Sequence, residues 1–144
     1  MTRRHKGNFS AKHPPDTTIP PEVSAAVTSR ISNGNISCRS ACDLATALSV
    51  PPSMIGTAID LSEGRITQCQ LGLFGHPQKP SALQPGEEID EQLQAEIEAA
   101  LENNRLSCKR AWKIAADRSL PRRAIGSICE TLNVRINRCQ LGAF

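Results

Sequence analysis

The sequence predicts a mainly α-helical protein built as two tandem three-helix units, each followed by a short β-strand. Three observations predict it. Residues 23–74 recur without a gap as residues 93–144, and 15 of the 38 positions from Ser37 to Phe74 are identical at a shift of seventy. Apolar residues step by four in both copies, at Val23, Val27 and Ile31 and again at Leu93, Ile97 and Leu101, which is the stripe of a half-buried helix. Aromatic residues make up only 3% of the chain, so the cores must be built from Ala, Leu, Ile and Val. Small aliphatic side chains of that kind suit close packing of short helices.

The elements follow in order. Residues 1–20 are basic and poor in apolar side chains, and read as a disordered tail. Residues 21–74 form the first repeat. Its first helix spans about 21–33 and ends at Asn33-Gly34. Ser37 is a good N-cap for the second helix, because its hydroxyl can accept from free backbone N–H groups. Pro51 suits the start of a third helix, which runs to about Leu61. Ile66 to Leu71 reads as a short strand. Residues 75–86 hold three prolines and two glycines and read as a linker. Residues 87–144 form the second repeat. There the first helix spans about 87–103, Ser107 caps the second, Pro121 precedes the third, which runs to about Leu132, and Ile136 to Leu141 is the strand. Antiparallel pairing of the two strands would satisfy their open edges.

In both copies the second and third helices resemble the helix-turn-helix families. Leu44-Ala45 and Ile114-Ala115 match the family's apolar and small pair facing the third helix. Leu48, Val50 and Ile55 match its apolar positions around the turn, as do Leu120 and Ile125 in the second copy, where Arg118 replaces Leu48. Ser49 and Ser119 stand where the family often has glycine. With its trailing strand, each copy looks like a reduced winged helix. The resemblance implies DNA binding through the third helix, and hence transcriptional regulation. In the second copy Arg122, Arg123 and Ser127 would face the groove, with Glu130 beside them. Lys109, Arg110 and Lys113 would meet phosphates. The first copy offers only Pro52, Ser53, Thr57 and Asp60. Gly56 and Gly126 fall mid-helix on the side expected to be exposed, where close approach of another backbone would justify them. If that approaching group is protein, the same repeats would instead serve as a non-enzymatic interaction or dimerising module.

Charge is unevenly spread. Residues 93–144 carry +4 and the acidic stretch 76–92 carries −3, so any basic surface belongs to the second copy and the N-terminal tail. No apolar run approaches the roughly 20 residues needed to span a membrane, so a cytoplasmic protein with reduced thiols is expected. Six cysteines are present. Cys38 with Cys108, and Cys69 with Cys139, are equivalent by repeat and are candidates for a shared four-thiolate metal site. They lack Cys-x-x-Cys spacing, however, and read chiefly as small core residues. Cys38 and Cys108 lie in a first helical turn, where thiolates are favoured, which makes them candidates for a redox switch. His5, His13 and His76 have no partner at ligand spacing and read as solvated. No phosphate-binding glycine loop, nucleophile triad or paired-carboxylate arrangement is legible, so neither a cofactor nor an enzymatic activity is expected.

Overall fold

A computed structural model of the chain describes residues 9–76 and 89–144. Residues 77–86 of the expected linker, Glu87, Glu88 and residues 1–8 of the expected tail lie outside the described residues. The fold is mainly helical with short strands: α1 (Pro21–Arg30), β1 (Asn35–Ser37), α2 (Cys38–Leu48), α3 (Pro52–Leu61), β2 (Arg65–Thr67), α4 (Glu91–Ala99), β3 (Arg105–Ser107), α5 (Cys108–Asp117), α6 (Arg122–Thr131) and β4 (Arg135–Asn137). The chain divides into two compact units. Unit 1 holds the described residues up to Thr67 together with Leu141–Ala143; unit 2 holds those from Gln68 to Gln140 together with Phe144.

The first helices are shorter than expected, and each is followed by a strand that the helical periodicity hid. Asn33 and Gly34 both have positive φ, at 53° and 80°, and the Ser32 and Asn35 backbones exchange two hydrogen bonds around them. Asn-Gly at that spacing makes a tight primed turn, which stops the helix and feeds an extended segment. Glu102 and Arg105 are bridged in the same way around Asn103 and Asn104. The new strand pairs within its own copy and in parallel: Ile36 lies opposite Ile66, and Leu106 opposite Ile136. The expected antiparallel pairing of the two C-terminal strands does not occur. Parallel neighbours require a crossover connection, and α2–α3 or α5–α6 supplies it.

In each copy the second and third helices join through a short turn, as expected. The Ser37 and Ser107 hydroxyls accept from the backbone N–H of Ser40 and Arg110, capping α2 and α5. Ser49 and Ser119 adopt left-handed backbone at φ 55° and 54°, where the family often has glycine. Between α2 and α3 the chain bends by 119°, close to the crossing of such helix pairs. Leu44, Ala45, Ile55, Ile114, Ala115 and Ile125 are all buried, as the resemblance requires. Arg118, the departure from the pattern, is only part-buried, and its guanidinium reaches Glu96 at 2.8 Å and Asp90 at 3.5 Å.

Gly56 and Gly126 are buried, not exposed. Within unit 1, a methyl group built on Gly56 would land on the carbonyl oxygen of Leu141. Within unit 2, one built on Gly126 would land on the carbonyl oxygen of Leu71. The approaching backbone is therefore the Leu-Gly tail of the opposite repeat, and the two tails have exchanged places. Leu71 and Leu141 are 2% and 3% exposed. Burying such a side chain contributes about 1.5–3 kcal/mol.

Within the N-terminal segment, expected to be disordered, the described residues pack against the rest of unit 1. A single 3-10 turn, Phe9–Lys12, packs on α3. Glu63 accepts the backbone N–H groups of Phe9 and Ser10 at 2.7 and 3.0 Å. Asp60, expected on an open reading surface, is 6% exposed, with Lys12 Nζ at 3.1 Å and His13 Nε2 at 2.8 Å. His13 is thus a packed partner rather than a solvated ring.

Replacing glycine by alanine inside a helix ordinarily stabilises by about 0.5–1 kcal/mol. At Gly56 or Gly126 the sign should reverse, because the tail backbone must move away. Urea denaturation of G56A and G126A should show losses of about 1–3 kcal/mol, the usual cost of overpacking.

Candidate nucleic-acid interface

The six residues expected to contact DNA fall into three groups. Lys109, Arg110, Lys113 and Arg123 are exposed on unit 2. Ser127 is half-buried on α6, one turn after Arg123. Arg122 is taken up by packing: its guanidinium carbon sits 3.6 Å from the centroid of the Trp112 ring, and it donates to Gln70 Oε1. A guanidinium over an indole face is attracted by the ring quadrupole. Arg122 therefore holds α6, α5 and the exchanged tail together, and is poorly placed to read a base.

Several cations are already matched. Lys113 lies 2.8 Å from Asp117, one helical turn away, and that hydrogen bond raises its pKa. Arg110 donates to the Ala100 carbonyl at 2.7 Å and lies 3.6 Å from Glu102. Arg138 lies 3.9 Å from the same Glu102 oxygen.

A second cationic group emerges from these neighbours. Arg105 and Arg135 are register partners on the parallel β3–β4 ladder, so their side chains leave the same face. Both are exposed, and neither has an ion-pair partner among the described residues. The Glu102–Arg105 bridge puts Glu102 on that face as well. Arg110 and Arg138 thus flank the Glu102 carboxylate, and Arg105 and Arg135 stand side by side on the adjoining strands. At the equivalent positions the first repeat has Asn35, Ser40, Arg65 and Gln68, with Ser32 in place of Glu102.

Arg105, Arg135 and Arg138 are not legible as a site in the sequence, because 33 positions separate the first from the last. The signal that could have found Arg105 and Arg138 is the difference between the repeats, Asn35 and Gln68 becoming arginine on the second pass, whereas Arg135 repeats Arg65 and gives no such signal.

The repeat-equivalent cysteines are divided between the two units. Cys38 belongs to unit 1, while Cys69, Cys108 and Cys139 belong to unit 2. Among the described residues no group of three or more His, Cys, Asp or Glu side chains is arranged to hold a metal ion. Nor is Cys108 activated by its place at a helix start. Burial pushes its thiol up to about 11, against a hydrogen bond from Gln140. Burial likewise pushes Cys129 up to about 11. The faces bearing Gly56 and Gly126, expected to serve an interaction module, are covered by the chain's own tails. Among the described residues no single helix is long and apolar enough to cross a membrane.

Comparison with protein-family models, with curated proteins and with solved structures returned no match.

Two outcomes follow for the thiols. Iodoacetamide at pH 8 should modify the half-buried Cys42 and Cys139 well before Cys108 and Cys129, as peptide mapping would show. Equal rates at Cys108 and Cys139 would contradict this. Because Cys108 and Cys129 hold their protons more tightly when folded, their stabilisation is complete below about pH 9 and is lost as the pH rises towards about 11. Urea midpoints measured across that window should fall.

Proposed function

We propose that unit 2 binds nucleic acid, with duplex DNA as its partner and transcriptional regulation as its role. The observation that carries the reading is the arginine group at the β3–β4 ladder: Arg105 and Arg135 are exposed in register, and Arg110 and Arg138 share the Glu102 carboxylate beside them. A concentrated, exposed positive face attracts a polyanion at long range, and arginine donors match phosphate oxygens in pairs. The short parallel ladder occupies the place of a wing, and the cluster supplies phosphate contacts that carry no sequence information. Arg123 and Ser127, on the outer side of α6, are then the residues positioned for base edges. Lys109 extends the phosphate footprint at the start of α5. Arg122 drops from the reading set and becomes a support for α6 through Trp112.

Unit 1 shares the scaffold and lacks the charge. Asp60 on its α3 is engaged by Lys12 and His13, and Arg65 alone remains of the arginine group. The acidic residues Glu96 and Asp90 do not cancel the arginine face, because Arg118 already engages both.

The test separates the two cationic groups. Fluorescence anisotropy with a random 25-mer duplex, across a salt series, should show binding that weakens steeply as salt rises. Arg105→Gln with Arg135→Gln should weaken binding to all duplexes alike and reduce the log–log salt slope by about 2, roughly one for each phosphate no longer neutralised. Arg123→Ala should change preference among selected sequences more than it changes the slope. Binding by the Arg105/Arg135 double variant equal to that of the parent protein would remove the basis of this function.

A further inference from the structure

Each unit is closed by a segment it does not itself encode. The groove over Gly56 is filled by Leu141, from the end of the second repeat, and the groove over Gly126 by Leu71, from the first. In neither unit does a groove hold the tail of its own repeat. The recognition therefore takes place between repeats by construction.

The two tails are also chemically the same. Both read Cys-Gln-Leu-Gly, and both present the leucine carbonyl to a helix glycine. Both leucines are buried, and the glycine after each has φ near 80°. What each groove requires is a leucine side chain, a carbonyl close enough to exclude any Cβ on the helix, and a left-handed residue next. Lys12 adds a contact in unit 1, donating to the Gly142 carbonyl at 3.1 Å.

We propose that the Gly56 groove is a homotypic docking site, and that a second copy of this chain occupies it with its own residues 139–144, giving a tail-exchanged dimer. Nothing in the groove depends on the tail arriving from the same molecule. The exchanged dimer makes the same contacts as the monomer, so the balance is set by the effective concentration of the internal tail. A tail tethered to its own groove outcompetes a free tail at low protein concentration, and holds the parent protein mainly monomeric at micromolar levels.

Removing the internal competitor makes the exchange visible. Gly56→Leu closes the groove and leaves the tail intact. Leu141→Asp disables the tail and leaves the groove intact. Each full-length variant alone should sediment as a 15.6 kDa monomer. An equimolar mixture at about 100 µM should give a species of about twice that mass, containing one chain of each. A mixture that sediments only as monomers overturns the proposal. Should Gly56→Leu fail to fold by circular dichroism, the probe is a synthetic peptide of residues 135–144. It should bind the Leu141→Asp protein and raise its Tm, while an otherwise identical peptide carrying aspartate at position 141 should not. Absence of binding by the unmodified peptide overturns the proposal equally.

Discussion

The architecture depends on one steric constraint: a leucine carbonyl seated where a helix side chain would otherwise stand. At Gly56 and again at Gly126 there is room for hydrogen and nothing larger. A mid-helix glycine is entropically unfavourable by itself. It is tolerated because removing Cβ lets the tail backbone lie flat on the helix and carries a buried leucine with it. Units of this size are marginal when they must rely on their own apolar surface. In unit 2 Leu71 joins a core made of Leu93, Ile97, Leu106, Ile114, Ile125 and Ile128, and so adds apolar area that the repeat does not encode. Leu141, in unit 1, is buried to the same degree.

The same constraint explains why the two copies diverged where they did. Positions that hold the scaffold are held in common: the capping serines, Pro51 and Pro121, Ile55 and Ile125, the two glycines and the Cys-Gln-Leu-Gly tails. Positions outside it differ in charge. Trp112 stands where the first copy has Cys42, and Arg122 where it has Pro52. These two differences fit together, since the arginine stacks on the indole. Arg118 stands where the first copy has Leu48, and Asp90 and Glu96 lie within its reach. Arg118 and Arg122, two of the charged residues particular to the second copy, are thus accompanied by partners.

Much of the local structure is legible because it depends on neighbours in sequence. Ser37 and Ser107 announce caps, the prolines announce helix starts, and the four-residue steps announce buried stripes. The β-strands after the first helices are not legible, because a three-residue strand carries almost no periodicity. The Asn33-Gly34 turn that creates one of them reads equally well as a helix end. The site is less legible still. Arg122 has the sequence position of a base reader, and only the fold puts Trp112 beneath it. Asp60 has the sequence position of an open surface residue, and only the fold brings Lys12 and His13 against it from far upstream. Lys109, Arg110, Lys113 and Arg123 lie on the surface as expected, because helical spacing alone decides that.

Apart from Arg110, which donates to the Ala100 carbonyl at the end of α4, the charge of the arginine face is matched by uncharged residues or by Arg65 in the first repeat. The first repeat builds the same turn and ladder with Ser32, Asn35 and Gln68 where the second has Glu102, Arg105 and Arg138. Like charges on paired strands are unfavourable for stability, and a single glutamate offsets only part of that repulsion. A surface shaped by stability alone would interleave carboxylates among these guanidiniums, as Asp90 and Glu96 do around Arg118 in the same unit. An exposed charge group that the first repeat largely lacks is the basis on which we propose a ligand that neutralises it. A polyanion does so with the least demand on geometry, and this asymmetry between two otherwise matched repeats supports nucleic acid as that ligand.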